Sequence, residues 1–544
     1  MLNMPTSLPH RLSAVISRFR CDERGALIIF GLMLFLLVAM MGGFAIDLMR
    51  YEERRTQLQN SLDRCTLMAA SLTNQLDPQG VVEDCMAKSG LAGRVEDVQV
   101  TQGLNFKNVT ARGKVPTNPI FMHMIGIDEF DALAVSGAMQ RINNVEIVLV
   151  LDVSGSMGGA KIANLRMAAS EFVETLLAND TDDRFAVSIV PYNAQVNLGG
   201  ALRTKYNATN LHGVNNVNCL EIPSSEYGTV GISRSLPLPM AAFADVTSGT
   251  NSGNTYTSRT DTNAATMNPN APFCRNTAAN IVRLPSNNVS ELQSQINALT
   301  AGGNTSITLG MKWGVSLIEP GARAMFSELA DEAAIPNKFR GRPFDWGDTE
   351  AMKVIVLMTD GEHVAHNKTN DPVKTGVSPI WRSSGDGNYS ILHTSRPMPN
   401  QYWVPHNATW RATPWNSGVG VNRLNWENIW AAQRQTWVAW QMYARALGTT
   451  DSTRSAAYTT AINSFRSQFE SVGTMNARLQ QSCGQAKANG VIVYGIAFEA
   501  PANGQTQISQ CASSPAHYFD AQGLEIQTAF RTIASNISQL KLTQ

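Results

Sequence analysis

Two runs of apolar, mostly β-branched residues set the narrowest limits on how this chain can fold. Residues 146–151 read Glu-Ile-Val-Leu-Val-Leu, and residues 353–358 read Lys-Val-Ile-Val-Leu-Met. Each reads as a buried strand. Each also stops abruptly in polar chemistry. The first runs into Asp152-x-Ser154-x-Ser156, the second into Thr359-Asp360-Gly361. In open parallel sheets, ligand sites form just outside the carboxyl ends of the strands. One carboxylate and two hydroxyls, spaced two apart beyond a strand, can converge on one hard cation. Oxygen donors of low total charge suit Mg²⁺ or Mn²⁺. Between the two strands, Gly302-Gly303-Asn304-Thr305 leads into a helical pattern over 309–317 and offers a third hydroxyl. Ser and Asp after a strand also make turns and N-caps. The expected metal ligands are Asp152, Ser154, Ser156, Thr305 and Asp360, and it is the five together that outweigh a turn.

These five residues resemble the metal-ion-dependent adhesion site of von Willebrand factor A domains. The resemblance implies a divalent cation that takes a carboxylate from a partner protein. It also implies an α/β fold with a doubly wound, mostly parallel, Rossmann-like sheet. That domain is expected over 143–544, carrying long insertions at 200–285 and 364–470.

Residues 25–46 contain no charge. A helix of that length, at about 1.5 Å per residue, crosses the hydrocarbon core of a bilayer. The segment runs into Asp47 and Arg50 without an Ala-x-Ala cleavage pattern, so an uncleaved anchor is expected rather than a signal peptide. Arginines stand on both sides of it, and the positive-inside rule is nearly a tie. The cysteines give the orientation. Cys21 precedes the anchor, and Cys65, Cys85, Cys219, Cys274, Cys483 and Cys511 follow it. Six on one side point to disulfides in an oxidising compartment. Proximity pairs them 65–85, 219–274 and 483–511, one of fifteen connectivities. A short cytoplasmic tail (1–24) is therefore expected, with the bulk of the chain outside the cytoplasm.

Beyond the anchor, Leu48, Tyr51, Arg55, Leu58, Leu62, Cys65, Ala69 and Leu72 make a helical seam over 47–74. It is expected to pack on its own domain, with packing against neighbouring subunits as the rival. Short alternating runs over 75–142 suggest a small α+β module. The anchor with Arg55-x-x-Leu58-Gln59-Asn60-x-x-Asp63, and the ending Cys511-Ala512-Ser513-Ser514-Pro515, resemble TadE/TadG-like proteins of the bacterial tight-adherence (Flp) pilus-assembly system. That resemblance implies an inner-membrane component of a pilus machine. Pilins of this kind carry a Glu five residues after the processing Gly. Counting from Gly25, that position is Phe30, so prepilin-type processing is not expected.

Lys plus Arg equals Asp plus Glu, at 43 each. With no basic patch, nucleic-acid binding is not expected. The stretch Gly155-Ser-Met-Gly-Gly-Ala160-Lys161-Ile162 lacks the Gly before and the Ser/Thr after the Lys of a phosphate loop. His363 and His366 could approach the cation, but a solvated loop is preferred. Eight of the ten tryptophans lie in the second insertion. Trp426, Trp430, Trp437 and Trp440 are spaced as one face of a helix, expected to be core, with a binding platform as the rival. No nucleophile–base signature is visible, so an enzyme is not expected. A metal-dependent periplasmic hydrolase, or a surface adhesion protein independent of pili, remains the alternative.

Overall fold

In a computed structural model of the protein, the described residues are 24–71, 76–102, 106–141, 144–178, 180, 183–246, 268, 272–348 and 351–539. The chain divides into two compact units, residues 1–142 and 143–544.

The first unit is built on one helix, α1 (Arg24–Ala69). Its N-terminal half is long and apolar enough to cross a membrane, and most of its side chains are exposed. The C-terminal half changes character. Leu58, Leu62, Cys65 and Ala69 repeat at steps of three and four and are buried. They pack on helix α2 (Pro78–Lys88) and on an antiparallel sheet, β1 (Val95–Gln102), β2 (Phe106–Thr117) and β3 (Phe130–Arg141), in that order. Along β3, Ala132, Ala134, Ser136 and Ala138 are buried while Leu133, Val135 and Met139 are exposed, the period of two that pleating imposes. Small residues on the inner face let the helix lie close, and the Thr66 and Ser136 hydroxyls meet across it at 2.7 Å. The seam thus packs on its own unit from Leu58 to Ala69. Leu72 lies outside the described residues.

The second unit is centred on a six-stranded sheet. Its strands are β4 (Asn144–Asp152), β5 (Phe185–Tyr192), β6 (Arg283–Ser286), β7 (Ala351–Thr359), β8 (Ile492–Phe498) and β9 (Tyr518–Ala521). They lie side by side as β9-β8-β7-β4-β5-β6. Four neighbouring pairs are parallel, and the β5–β6 edge is antiparallel. Alternate β4 residues serve two cores. Val148 and Val150 join one with α5 (Ile307–Ile318) and α6 (Val472–Ala488). Ile147, Leu149 and Leu151 join the other with α3 (Ala160–Leu177), α4 (Val289–Ala298) and α7 (Glu525–Gln539). Both faces are covered, which is why the middles of β4 and β7 are wholly apolar and polar residues stand only towards their ends. β5 continues through Pro191 to Tyr192, and Pro191 stands opposite Leu151. A proline near a strand end forfeits only one ladder donor.

The remaining sheets among the described residues are small, and most are antiparallel, so the chain as a whole is mixed α/β. The largest joins Thr409–Arg411, Tyr402–Val404, Tyr389–Leu392, Val377–Ser383 and Val421–Asn425, in that order. The four tryptophans do not share one helix. Trp426 and Trp430 lie on a short helix and stack at 5.0 Å, both buried. The chain then breaks before a second short helix (Gln435–Val438), and Trp437 and Trp440 are only half-buried. Disulfides join Cys65 to Cys85, Cys219 to Cys274 and Cys483 to Cys511, the pairing that sequence proximity suggested.

Candidate metal centre

The chain order of the central sheet reverses between β4 and β7, because strands are added outward in both directions from that pair. Loops leaving the carboxyl ends of two such strands diverge and open a crevice. Asp152 is the last residue of β4, and Asp360 follows the last residue of β7. They are 0% and 2% exposed.

Four loops close around them through main-chain hydrogen bonds. The Gly155 N–H donates to Gly303 O and the Gly302 N–H to Val153 O, both at 2.8 Å. Val364 N–H donates to Thr305 O, and Ser306 N–H to Asn193 O. Gly303 has φ of +87°, a conformation that favours glycine, and its α-carbon faces the Asn193 amide closely. That amide donates to Gly302 O at 2.9 Å. The Gly-Gly pair is therefore what lets the Thr305 loop fold back over the end of β4.

The hydroxyls converge as well. Ser154 Oγ and Ser156 Oγ are 3.0 Å apart, and Ser156 donates to Asp360 Oδ1 at 2.7 Å. A Cβ built on Gly361 would lie 3.6 Å from Ser156 Oγ and 3.7 Å from Thr305 Oγ1, so both hydroxyls border the same small space. Asp152 Oδ1 accepts the Ser154 N–H and Oδ2 accepts the Thr359 hydroxyl at 2.6 Å. Ser156 is exposed, so the group opens to solvent on that side. All five expected ligands are brought into one cluster.

The charge is unbalanced. Burial, followed by the neighbouring Asp360 carboxylate, pushes the Asp152 pKa up to about 6 from its ordinary 3.8. Lys161 Nζ lies 2.9 Å from Asp360 Oδ2 and 3.7 Å from Glu499 Oε2. Among the described residues it is the cation paired with this cluster. Its position on the first turn of α3 gave no signal beyond the rejected phosphate-loop spacing. Thr359 was also missed, although a polar residue ending an apolar run could have marked it.

Among the described residues, no three His, Cys, Asp or Glu side chains cluster as a metal-binding group. The set here draws on two carboxylates and three hydroxyls. That chemistry fits a hard divalent ion, which prefers oxygen and tolerates retained water, and not a zinc site of nitrogen and sulfur. The preference for a solvated loop at His363 and His366 is overturned, since they are 2% and 5% exposed. His363 bonds Thr308 at 2.9 Å and Asn476 at 2.7 Å, and burial pulls its pKa down to about 4. His366 stacks on Phe469 at 5.6 Å. Burial lowers the pKa of both, so they are neutral core groups.

Residues 25–72 match the family model described as putative Flp pilus-assembly TadE/G-like. Curated proteins give no match. Several solved structures are similar to the chain at low identity. The von Willebrand factor domain of the type V pilus tip protein Mfa5 from Porphyromonas gingivalis is 13% identical, with a TM-score of 0.30; the alignment covers 74% of this chain and 98% of that one. The adhesive tip pilin GBS104 from Group B Streptococcus agalactiae is 11% identical, with a TM-score of 0.28, over 72% of this chain and 99% of that one. Proximal thread matrix protein 1 of the mussel byssus, with zinc in its adhesion motif, is 10% identical, with a TM-score of 0.26, over 73% and 48%.

Proposed function

We propose that this chain is a membrane-anchored component of a tight-adherence (Flp) pilus-assembly system that captures a partner protein through a divalent cation. The match at residues 25–72 supports the pilus-assembly context. On this reading the anchor crosses the bacterial inner membrane once and the bulk of the chain is periplasmic, where its three disulfides would persist. Residues 75–142 form a connecting module, and 143–544 form a von Willebrand A-type, doubly wound domain with insertions at 200–285 and 364–470.

The observation that carries the reading is the pair of buried carboxylates, Asp152 and Asp360, at the chain reversal of the sheet with a lysine on only one of them. Asp152, Ser154, Ser156, Thr305 and Asp360 would hold Mg²⁺ or Mn²⁺. Bound there, the ion would supply a coordination position open to an acidic residue of the partner. The protein's own part is to hold the oxygens ready. Ser154 N–H and Thr359 fix both Asp152 oxygens, and Ser156 and Lys161 fix those of Asp360. Lys161 offsets one negative charge until a cation arrives. The role is binding, without chemical turnover.

The test is Mg²⁺ titration of the purified protein by calorimetry and thermal unfolding, with wild type and Asp152→Ala in parallel. Mg²⁺ at 100 times its dissociation constant should stabilise the wild type by about 2.7 kcal/mol and leave the variant unmoved. Capture of pilus components that persists in chelator, or in Asp152→Ala, would sink the metal bridge.

A further inference from the structure

The first unit carries a second apolar surface besides the helix. Between β2 and β3, residues 118–129 turn through a short 3₁₀ segment, Met122–Ile125. Ile120, Met124, Ile125 and Ile127 on this loop are all exposed, Met124 at 78%. Four large apolar side chains on one short loop are more than the scattered singles of an ordinary surface.

The loop is fastened to α1 at a defined height. The Asp47 carboxylate accepts the backbone N–H groups of Ile120, Phe121 and Met122 at 2.8, 2.7 and 2.8 Å and is 1% exposed. One turn earlier, the Phe121 ring lies against the bare α-carbon of Gly43, where a Cβ would sit 2.4 Å from it. One turn later, Tyr51 meets Phe130 at 5.2 Å. Gly43, Asp47 and Tyr51 form a single i, i+4, i+8 stripe that receives the loop.

The apolar segment of α1 ends at Ile46. Gly43 is three residues inside that end, about 4.5 Å at the helical rise. The Phe121 ring is thus level with the outermost turn of the membrane-crossing stretch, and its loop neighbours share that level. Exposed Arg50 and Arg54 follow one to two turns further on, at the depth of lipid phosphates. The boundary carboxylate, Asp47, is satisfied by three backbone donors and is almost fully buried, which suits a place where water is scarce.

We propose that residues 120–127 form a membrane-embedded wedge. Ile120, Met124, Ile125 and Ile127 enter the leaflet on the side of the folded units, at the junction of acyl chains and headgroups, as interfacial apolar segments do. The occupant of the patch is the lipid bilayer, by continuity with the apolar surface of α1. The protein is then held by a helix and a lateral foot, which fixes its rotation about the helix axis. The proposal rests on residues 25–46 being a membrane anchor.

The experiment uses the full chain with Cys21→Ser, leaving six cysteines in disulfides. Single spin labels are placed at Met124→Cys, Ile125→Cys, Leu34→Cys within the anchor, and Met139→Cys on the exposed face of β3. In phosphatidylcholine–phosphatidylglycerol vesicles, accessibility to oxygen is compared with accessibility to a water-soluble nickel chelate. The wedge requires an oxygen-to-nickel ratio at 124 and 125 severalfold above that at 139. A ratio at 124 and 125 equal to that at 139, with Leu34→Cys still oxygen-rich, overturns the wedge and leaves the anchor standing. Labels at 124 and 125 shielded from both reagents would mean a protein contact and overturn the lipid assignment. A water-exposed label at 34 would overturn anchor and wedge together.

Discussion

Strands β4 and β7 carry buried charge at both of their ends, and the two ends are solved differently. At the amino end, Glu146 stands opposite Lys353 in register. The two side chains are 6% and 5% exposed and form an ion pair. Lys353 also donates to Ile318 O at 2.9 Å, and Phe344 N–H donates to Glu146 at 3.1 Å. Charge there sums to zero within the chain. At the carboxyl end, two carboxylates share one lysine that is not fully buried. A buried pair that balances itself is a structural fixture; a buried pair that does not balance leaves room for a cation from outside. The same sheet therefore carries a closed account of charge below and an open one above.

The largest expected effect is at the closed end. Lys353→Ala leaves Glu146 buried and uncompensated, which should cost roughly 3–5 kcal/mol in chemical denaturation. The double variant Glu146→Leu/Lys353→Met should recover most of that loss. Equal loss in the double variant would mean that shape, and not charge, matters at that end.

The next effect is at the open end and depends on pH. The Asp152 carboxyl titrates at about 6 when folded, against 3.8 ordinarily. Between those values the folded protein keeps a proton that the unfolded chain has released. In metal-free protein, this group's contribution is complete below pH 3.8 and lost as pH rises through about 6. The loss is on the order of 3 kcal/mol. Asp152→Asn should remove that share of the slope, so that metal-free wild type and variant diverge as pH rises from 4 to 7 by thermal unfolding (roughly the window of a raised carboxylate). Parallel curves would show that the open end is already balanced. With saturating Mg²⁺ the wild-type curve should flatten, since the cation favours the carboxylate form.

The smallest effect sharpens the contrast to single oxygens. Ser156→Ala removes one hydroxyl and the hydrogen bond to Asp360. It should lower Mg²⁺ affinity by about tenfold, as loss of one oxygen donor at a metal site does, and cost metal-free stability only about 1 kcal/mol. Unaltered affinity would remove Ser156 from the ligand set.

The cluster was legible because its residues punctuate strands. An apolar run that stops at Asp152, and another that stops at Asp360, mark strand ends without any knowledge of neighbours. Thr305 was legible from the glycines before it. Lys161 was not, since its role depends on α3 turning it back over Asp360, a long-range arrangement with no local pattern. His363 and His366 misled for a related reason. Two polar rings in a polar loop look solvated until Thr308, Asn476 and Phe469 arrive from distant elements. Trp426 to Trp440 keep a helical spacing that the backbone does not keep, because the chain breaks at 431–434 and tertiary packing overrides the local period. Asp47 was read only as the end of the anchor, because its three backbone partners lie more than seventy residues away.

α1 runs unbroken from Arg24 to Ala69, about 69 Å at the helical rise. Gly42 and Gly43 lie within it, and paired glycines are where a long helix bends most readily. The Asp47 carboxylate and the Phe121 ring grip the rod just there. They act as a splint: a twist or sideways load applied to the helix inside the bilayer would pass the soft spot and reach the β1–β3 sheet as torque, instead of being spent as a bend.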